Sequence, residues 1–156
     1  MDKKEFKKVT KEVYEQYEFV KKGNLFYLDL DEVLLCSKIS YCRGVTYLAY
    51  NFSIKAIHSS DEYQHNDMFE GFESHEILIY YTPILEGYHK QEIPYENLTA
   101  EEYAECLSQI LPKYFEPYKK NALKYIERCY REKGLVIEKD IIMISLKARQ
   151  YLGLIK

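Results

Sequence analysis

The chain has 156 residues, 47% of them hydrophobic and 30% charged, with a formal net charge of −3. That length and apolar content suit one domain, 1–156, with a real core. The mild acidity counts against nucleic acid as the main partner. The opening MDKKEFKK is charged rather than apolar, and no apolar run approaches the roughly 20 residues of a membrane span, so a cytoplasmic protein without a membrane partner is expected.

Residues 2–21 read as a helix. Asp2 is placed to cap it, with Glu5 three positions on as in a capping box. Phe6, Val9, Val13, Tyr17 and Val20 keep a helical stripe, and Gly23-Asn24 is read as the stop.

Three antiparallel strands should follow, with turns at Asp31-Glu32 and Arg43-Gly44. In a two-residue hairpin the numbers of paired residues have a constant sum. The first turn then sets Leu30 against Val33, Leu28 against Leu35 and Phe26 against Ser37. The second sets Ile39 against Leu48, Ser37 against Tyr50, Leu35 against Phe52 and Val33 against Ile54. Side chains alternate faces. This one register puts Phe26, Leu28, Leu30, Val33, Leu35, Ile39, Leu48, Tyr50, Phe52 and Ile54 on a single face. Asp29, Lys38, Ser40, Asn51, Ser53 and Lys55 fall on the other, which reads as a polar face.

The run FYLDLDEVLL, residues 26–35, resembles the Asp-x-Asp opening motif of haloacid dehalogenase-like phosphatases. The register argues against that reading. It leaves Asp29 on the polar side of an antiparallel strand and Asp31 in a turn, whereas the phosphatase fold needs a buried parallel strand ending at the motif. No downstream Gly-Asp or Asp-Asp pair completes the set.

Between Ala56 and His89 there is no lysine or arginine, but there are seven carboxylates: Asp61, Glu62, Asp67, Glu70, Glu73, Glu76 and Glu86. The stretch carries −7 and leaves +4 for the rest of the chain. Residues 58–76 read as a long loop, which in a compact domain is often functional or disordered; ILIYYT after it reads as a fourth strand. A metal-dependent enzyme built on His58, His65, Asp67 and His75 is the alternative reading, but no recognised ligand spacing is present. No catalytic residue, metal ligand or cofactor is therefore assigned.

The C-terminal third reads as helical. Thr99 to Glu102 forms a capping box opening a helix to about Leu111, with Tyr103, Leu107 and Ile110 as its stripe and Pro112 as its stop or kink. A second helix is expected over 118–133, with Ala122, Tyr125, Ile126 and Cys129 inward, and ends at Gly134. A last helix over 138–152 would place Ile141, Ile144, Ala148 and Tyr151 on one side, although LVIEKDIIMI also suits a strand. Basic residues alternate with tyrosines over 113–133; cations with stacking rings occur on RNA-binding surfaces, but helical spacing of this kind usually makes a solvated face. The four cysteines read as reduced thiols. Cys36 and Cys42, six residues apart in one strand, lie roughly 20 Å apart, too far to share a metal.

EFVKKGNLFYL, EVLLCSKISY, YLAYNFSI and the later LPKYFEPY resemble the bacterial domain-of-unknown-function 4304 family, over residues 5–56 and more loosely 107–118. Ser37-Lys38-Ile39-Ser40 departs from the Gln-Lys-Ser-like strand end expected there. The resemblance implies a sheet-and-helix fold and carries no activity. The expected fold is therefore α+β: an N-terminal helix, an antiparallel sheet of about four strands, and C-terminal helices packed on one sheet face. With seventeen tyrosines and no tryptophan, the expected function is non-catalytic binding of a basic protein partner. Tyrosine is favoured at interfaces, and the partner-binding residues are Asp61, Glu62, Tyr63, Asp67, Glu70 and Glu73.

Overall fold

The computed structural model describes residues 1–42, 45–57, 77–83, 95–133, 136–137 and 140–156. Helix α1 spans Lys3–Gln16, and Asp2 caps it by accepting from the Glu5 amide at 2.8 Å. It ends five residues short of the expected bound. Glu18 takes a left-handed φ of 69°, which turns the chain so that Phe19 is buried, edge-on to the Tyr14 ring. The next residues leave the helix as strand β1, Val20–Lys22, and Val20 is 59% exposed instead of extending the helical stripe. Gly23-Asn24 is then a hairpin turn, not a helix stop. Gly23 supplies the positive φ, 61°, that its first central position requires, and Lys22 pairs with Leu25 across it.

Strands β2 (Leu25–Asp29), β3 (Val33–Cys42) and β4 (Val45–Ile54) follow in the expected antiparallel register. Phe26 faces Ser37, Leu28 faces Leu35, Ser37 faces Tyr50 and Leu35 faces Phe52. The fourth strand, β5, is Ile77–Pro83 and pairs with β4. The sheet continues past the four expected strands. Within LVIEKDIIMI the strand alternative holds: β6 (Val136–Ile137) precedes the expected last helix, and the first part of that helix is instead β7 (Asp140–Ile144), which pairs with β5. Among the described residues the order is β1-β2-β3-β4-β5-β7-β6, all antiparallel. The DIIMI run is rich in β-branched residues, and β5 offers it a ladder, so pairing overrides the helical pattern. Only Leu146–Tyr151 remains helical, capped by Ser145, and Tyr151 is exposed rather than inward.

Helix α2 spans Ala100–Lys119 behind a complete Thr99–Glu102 capping box, and α3 spans Ala122–Lys133. The short helix at 146–151 is α4. Helix α2 continues past Pro112 and Pro117, so Pro112 does not stop it. Pro112 lacks the N–H that would satisfy the Ser108 carbonyl one turn back. The Tyr17 hydroxyl, at the end of α1, donates to that carbonyl at 2.8 Å. The break is repaired by a side chain 91 residues away in sequence.

The helices pack on the apolar face of the sheet. Tyr50 meets the rings of Phe115 and Tyr118, Phe52 meets Tyr118, and Tyr14 stacks on Phe26 at 4.2 Å. Val33, Leu35, Leu48, Phe52 and Ile54 are fully buried between the layers. The other face is not the open polar surface its residue types suggest. Cys36, Ala49, Asn51 and Ser53 at its centre are all buried, and only its margins, such as Asp29, are exposed.

Candidate functional site

The predicted partner-binding residues Asp61, Glu62, Tyr63, Asp67, Glu70 and Glu73 lie outside the described residues, as do His58, His65 and His75. Among the described residues six tyrosines, Tyr14, Tyr50, Tyr95, Tyr103, Tyr114 and Tyr118, are buried in the core. With no tryptophan in the chain, tyrosine does the work of large core aromatics and brings its hydroxyl inside. A buried hydroxyl needs a partner. The Tyr14 hydroxyl takes Ser37 Oγ at 2.7 Å, and that of Tyr103 takes Thr10 Oγ1 at 2.8 Å. Burial pushes both phenols well above their ordinary pKa, so they are neutral structural donors.

The Asp29-x-Asp31 pair sits where the register puts it. Asp29 ends β2, and its Oδ1 accepts the Asp31 amide at 3.0 Å, closing a local turn. Asp31 adopts a φ of 68°, and the Leu30 amide reaches the Val33 carbonyl across the turn. Asp tolerates this left-handed conformation better than most side chains. The same Asp29 oxygen pairs with Lys55 Nζ from the end of β4. The hydrogen bond from Lys55, aided by the Asp31 amide, holds the Asp29 carboxyl below the usual carboxylate range. Asp29 is thus committed to the turn and to an ammonium. Among the described residues, no three His, Cys, Asp or Glu side chains are grouped to hold a metal ion.

Around this turn lies a polar hollow of about 520 Å³. Glu18, Asp29, Asp31 and Glu32 form one wall, and Lys119, Lys120 and Asn121 at the α2–α3 junction form the other. Asp29 and Lys119 are committed to local ion pairs, with Lys55 and Glu116. Glu18, Asp31 and Glu32 are exposed, and among the described residues no basic side chain pairs with them. The sequence signal for this acidic lip was the Asp-x-Asp-Glu string itself; Glu18 joins it only because the chain reverses after α1.

The thiols of Cys36 and Cys129 are buried. Burial, followed by Glu105 and Glu102, raises the Cys106 thiol above its ordinary pKa. A raised pKa lowers the thiolate fraction and with it nucleophilic reactivity. Among the described residues no helix is long and apolar enough to cross a membrane. Comparison of the chain with protein-family models, curated proteins and solved structures gave no match.

Proposed function

We propose that this chain is a non-catalytic, cytoplasmic interaction protein that captures a basic protein partner in the manner of an immunity protein or inhibitor. The observation carrying this reading is the charge segregation: seven carboxylates and no lysine or arginine between residues 56 and 89. Such a block repels itself, and a cationic partner relieves that repulsion while being drawn in at long range. Asp61, Glu62, Tyr63, Asp67, Glu70 and Glu73 are the proposed contact residues. The exposed Glu18, Asp31 and Glu32 add a second acidic patch at the β2–β3 turn.

The test compares the wild type with a variant carrying Asp61→Asn, Glu62→Gln, Asp67→Asn, Glu70→Gln and Glu73→Gln. A basic protein captured on the immobilised wild type at low salt is purified, and its association kinetics are measured. The proposal expects a slower on-rate both with the variant and at raised salt, with folding stability unchanged or slightly higher. A partner indifferent to both changes removes the acidic segment from binding. A divalent metal that co-purifies with the chain and is lost on mutating His65 and Asp67 supports the metal-dependent enzyme instead.

A further inference from the structure

Helix α3 has the opposite electrostatic character. The inward side chains Ala122, Leu123, Ile126 and Cys129 dock it on the core, which turns Lys124, Arg128 and Arg131 to solvent at steps of four and three residues. With Lys120 just before the helix, these cations line an open groove of about 490 Å³. Pro117 and the Tyr125 ring give it apolar surface, and the Arg128 guanidinium lies 5.3 Å from the Tyr125 centroid. Two carboxylates, Glu127 and Glu132, also line it. Glu127 is held by Arg131 at 3.0 Å. Among the described residues, Lys120, Lys124 and Arg128 pair with no carboxylate. Three cations are therefore left in a row beside apolar surface, in a chain whose net charge is negative.

We infer that this groove is a docking surface for an acidic helix of a protein partner. The choice of occupant rests on charge spacing. A four-residue step on α3 advances about 6 Å. A partner helix with carboxylates at every fourth residue repeats at the same distance and matches Lys124 and Arg128 one to one. A nucleic-acid strand carries a full negative charge on every nucleotide along its whole length, so this net-negative chain repels it more strongly than it repels a short acidic helix. The acidic 56–89 block would also repel a long polyanion. The apolar floor of Pro117 and Tyr125 suits the small side chains between the acids of such a helix.

The probe is a labelled alanine-based helical peptide with glutamate at every fourth position, read by fluorescence anisotropy against the intact chain. Its glutamine counterpart and a single-stranded oligonucleotide serve as comparisons. The glutamate peptide should bind, weaken as salt rises, and lose about tenfold in affinity on Lys124→Glu with Arg128→Glu, since two attractions become repulsions. Lys8→Glu with Lys11→Glu makes the same change in net charge on α1, away from the groove, and should leave binding nearly unchanged. Circular dichroism checks that both variants remain folded; if the glutamate pair does not, Lys124→Gln with Arg128→Gln replaces it. Equal affinity for the glutamate and glutamine peptides, or equal losses from the two double variants, overturns the inference. So does an oligonucleotide that binds more tightly than the peptide and is released by the α3 variant. The peptide outcomes are read on the α3 cations and are independent of the proposed role of the acidic 56–89 segment in binding a basic partner.

Discussion

The hydrogen bond between Tyr14 and Ser37 joins helix α1 to strand β3 through the core, and its energetics should be strongly asymmetric. Both side chains have no exposed surface. Ser37 Oγ donates to the Ala49 carbonyl at 3.1 Å, so its lone pair is what receives the Tyr14 hydroxyl at 2.7 Å. Tyr14→Phe removes one neutral hydrogen bond and leaves Ser37 its carbonyl partner, so the cost is about 0.5–1.5 kcal/mol. Ser37→Ala strands the Tyr14 hydroxyl in the core and should cost about 1–3 kcal/mol. The two changes should not add. Once Ser37 is gone, Tyr14→Phe removes an unsatisfied group and should be neutral or stabilising. Urea unfolding of the four proteins, with unchanged m-values, measures this coupling. If Tyr14→Phe costs as much in the Ser37→Ala background as in the wild type, the hydrogen bond is not the link described.

Phe52→Ala should cost about 3–5 kcal/mol, because its ring is fully buried against Tyr118 and Tyr50. Asn51→Ala, one residue along on the other face but also buried, should cost less, about 1–3 kcal/mol; a reversed order in denaturant melts would show the register to be wrong. Asp29→Asn keeps an oxygen for the Asp31 amide but loses the Lys55 ion pair, so it should leave the fold intact and cost less than about 1 kcal/mol at neutral pH. The folded-state carboxyl titrates below its unfolded value. Its contribution is therefore present above about pH 4 and is lost as pH falls through the lower folded value. The wild-type and Asp29→Asn melts should converge in acid, and a gap that widens there would contradict the assignment.

The features the sequence determined are those in which neighbouring residues settle the matter. Period-two alternation across two short turns leaves one register that buries Phe26, Leu28, Val33, Leu35, Leu48, Phe52 and Ile54 together, and the chain adopts it. The Asp2 and Thr99 caps also depend only on residues within one helical turn. The tertiary structure decided whatever depended on a distant partner. Helix α2 crosses Pro112 because Tyr17 satisfies the Ser108 carbonyl. DIIMI is a strand because β5 presents a free edge to it. The hydroxyls of the buried Tyr14 and Tyr103 find their partners in Ser37 and Thr10, 23 and 93 residues away in sequence. The cations of α3 could be read as a solvated stripe, but their gathering with Pro117 and Lys120 into one groove depends on the turn between two helices. Local pattern specifies which face is apolar; what that face meets, and which backbone groups are rescued, is set by contacts whose sequence separation no periodicity encodes.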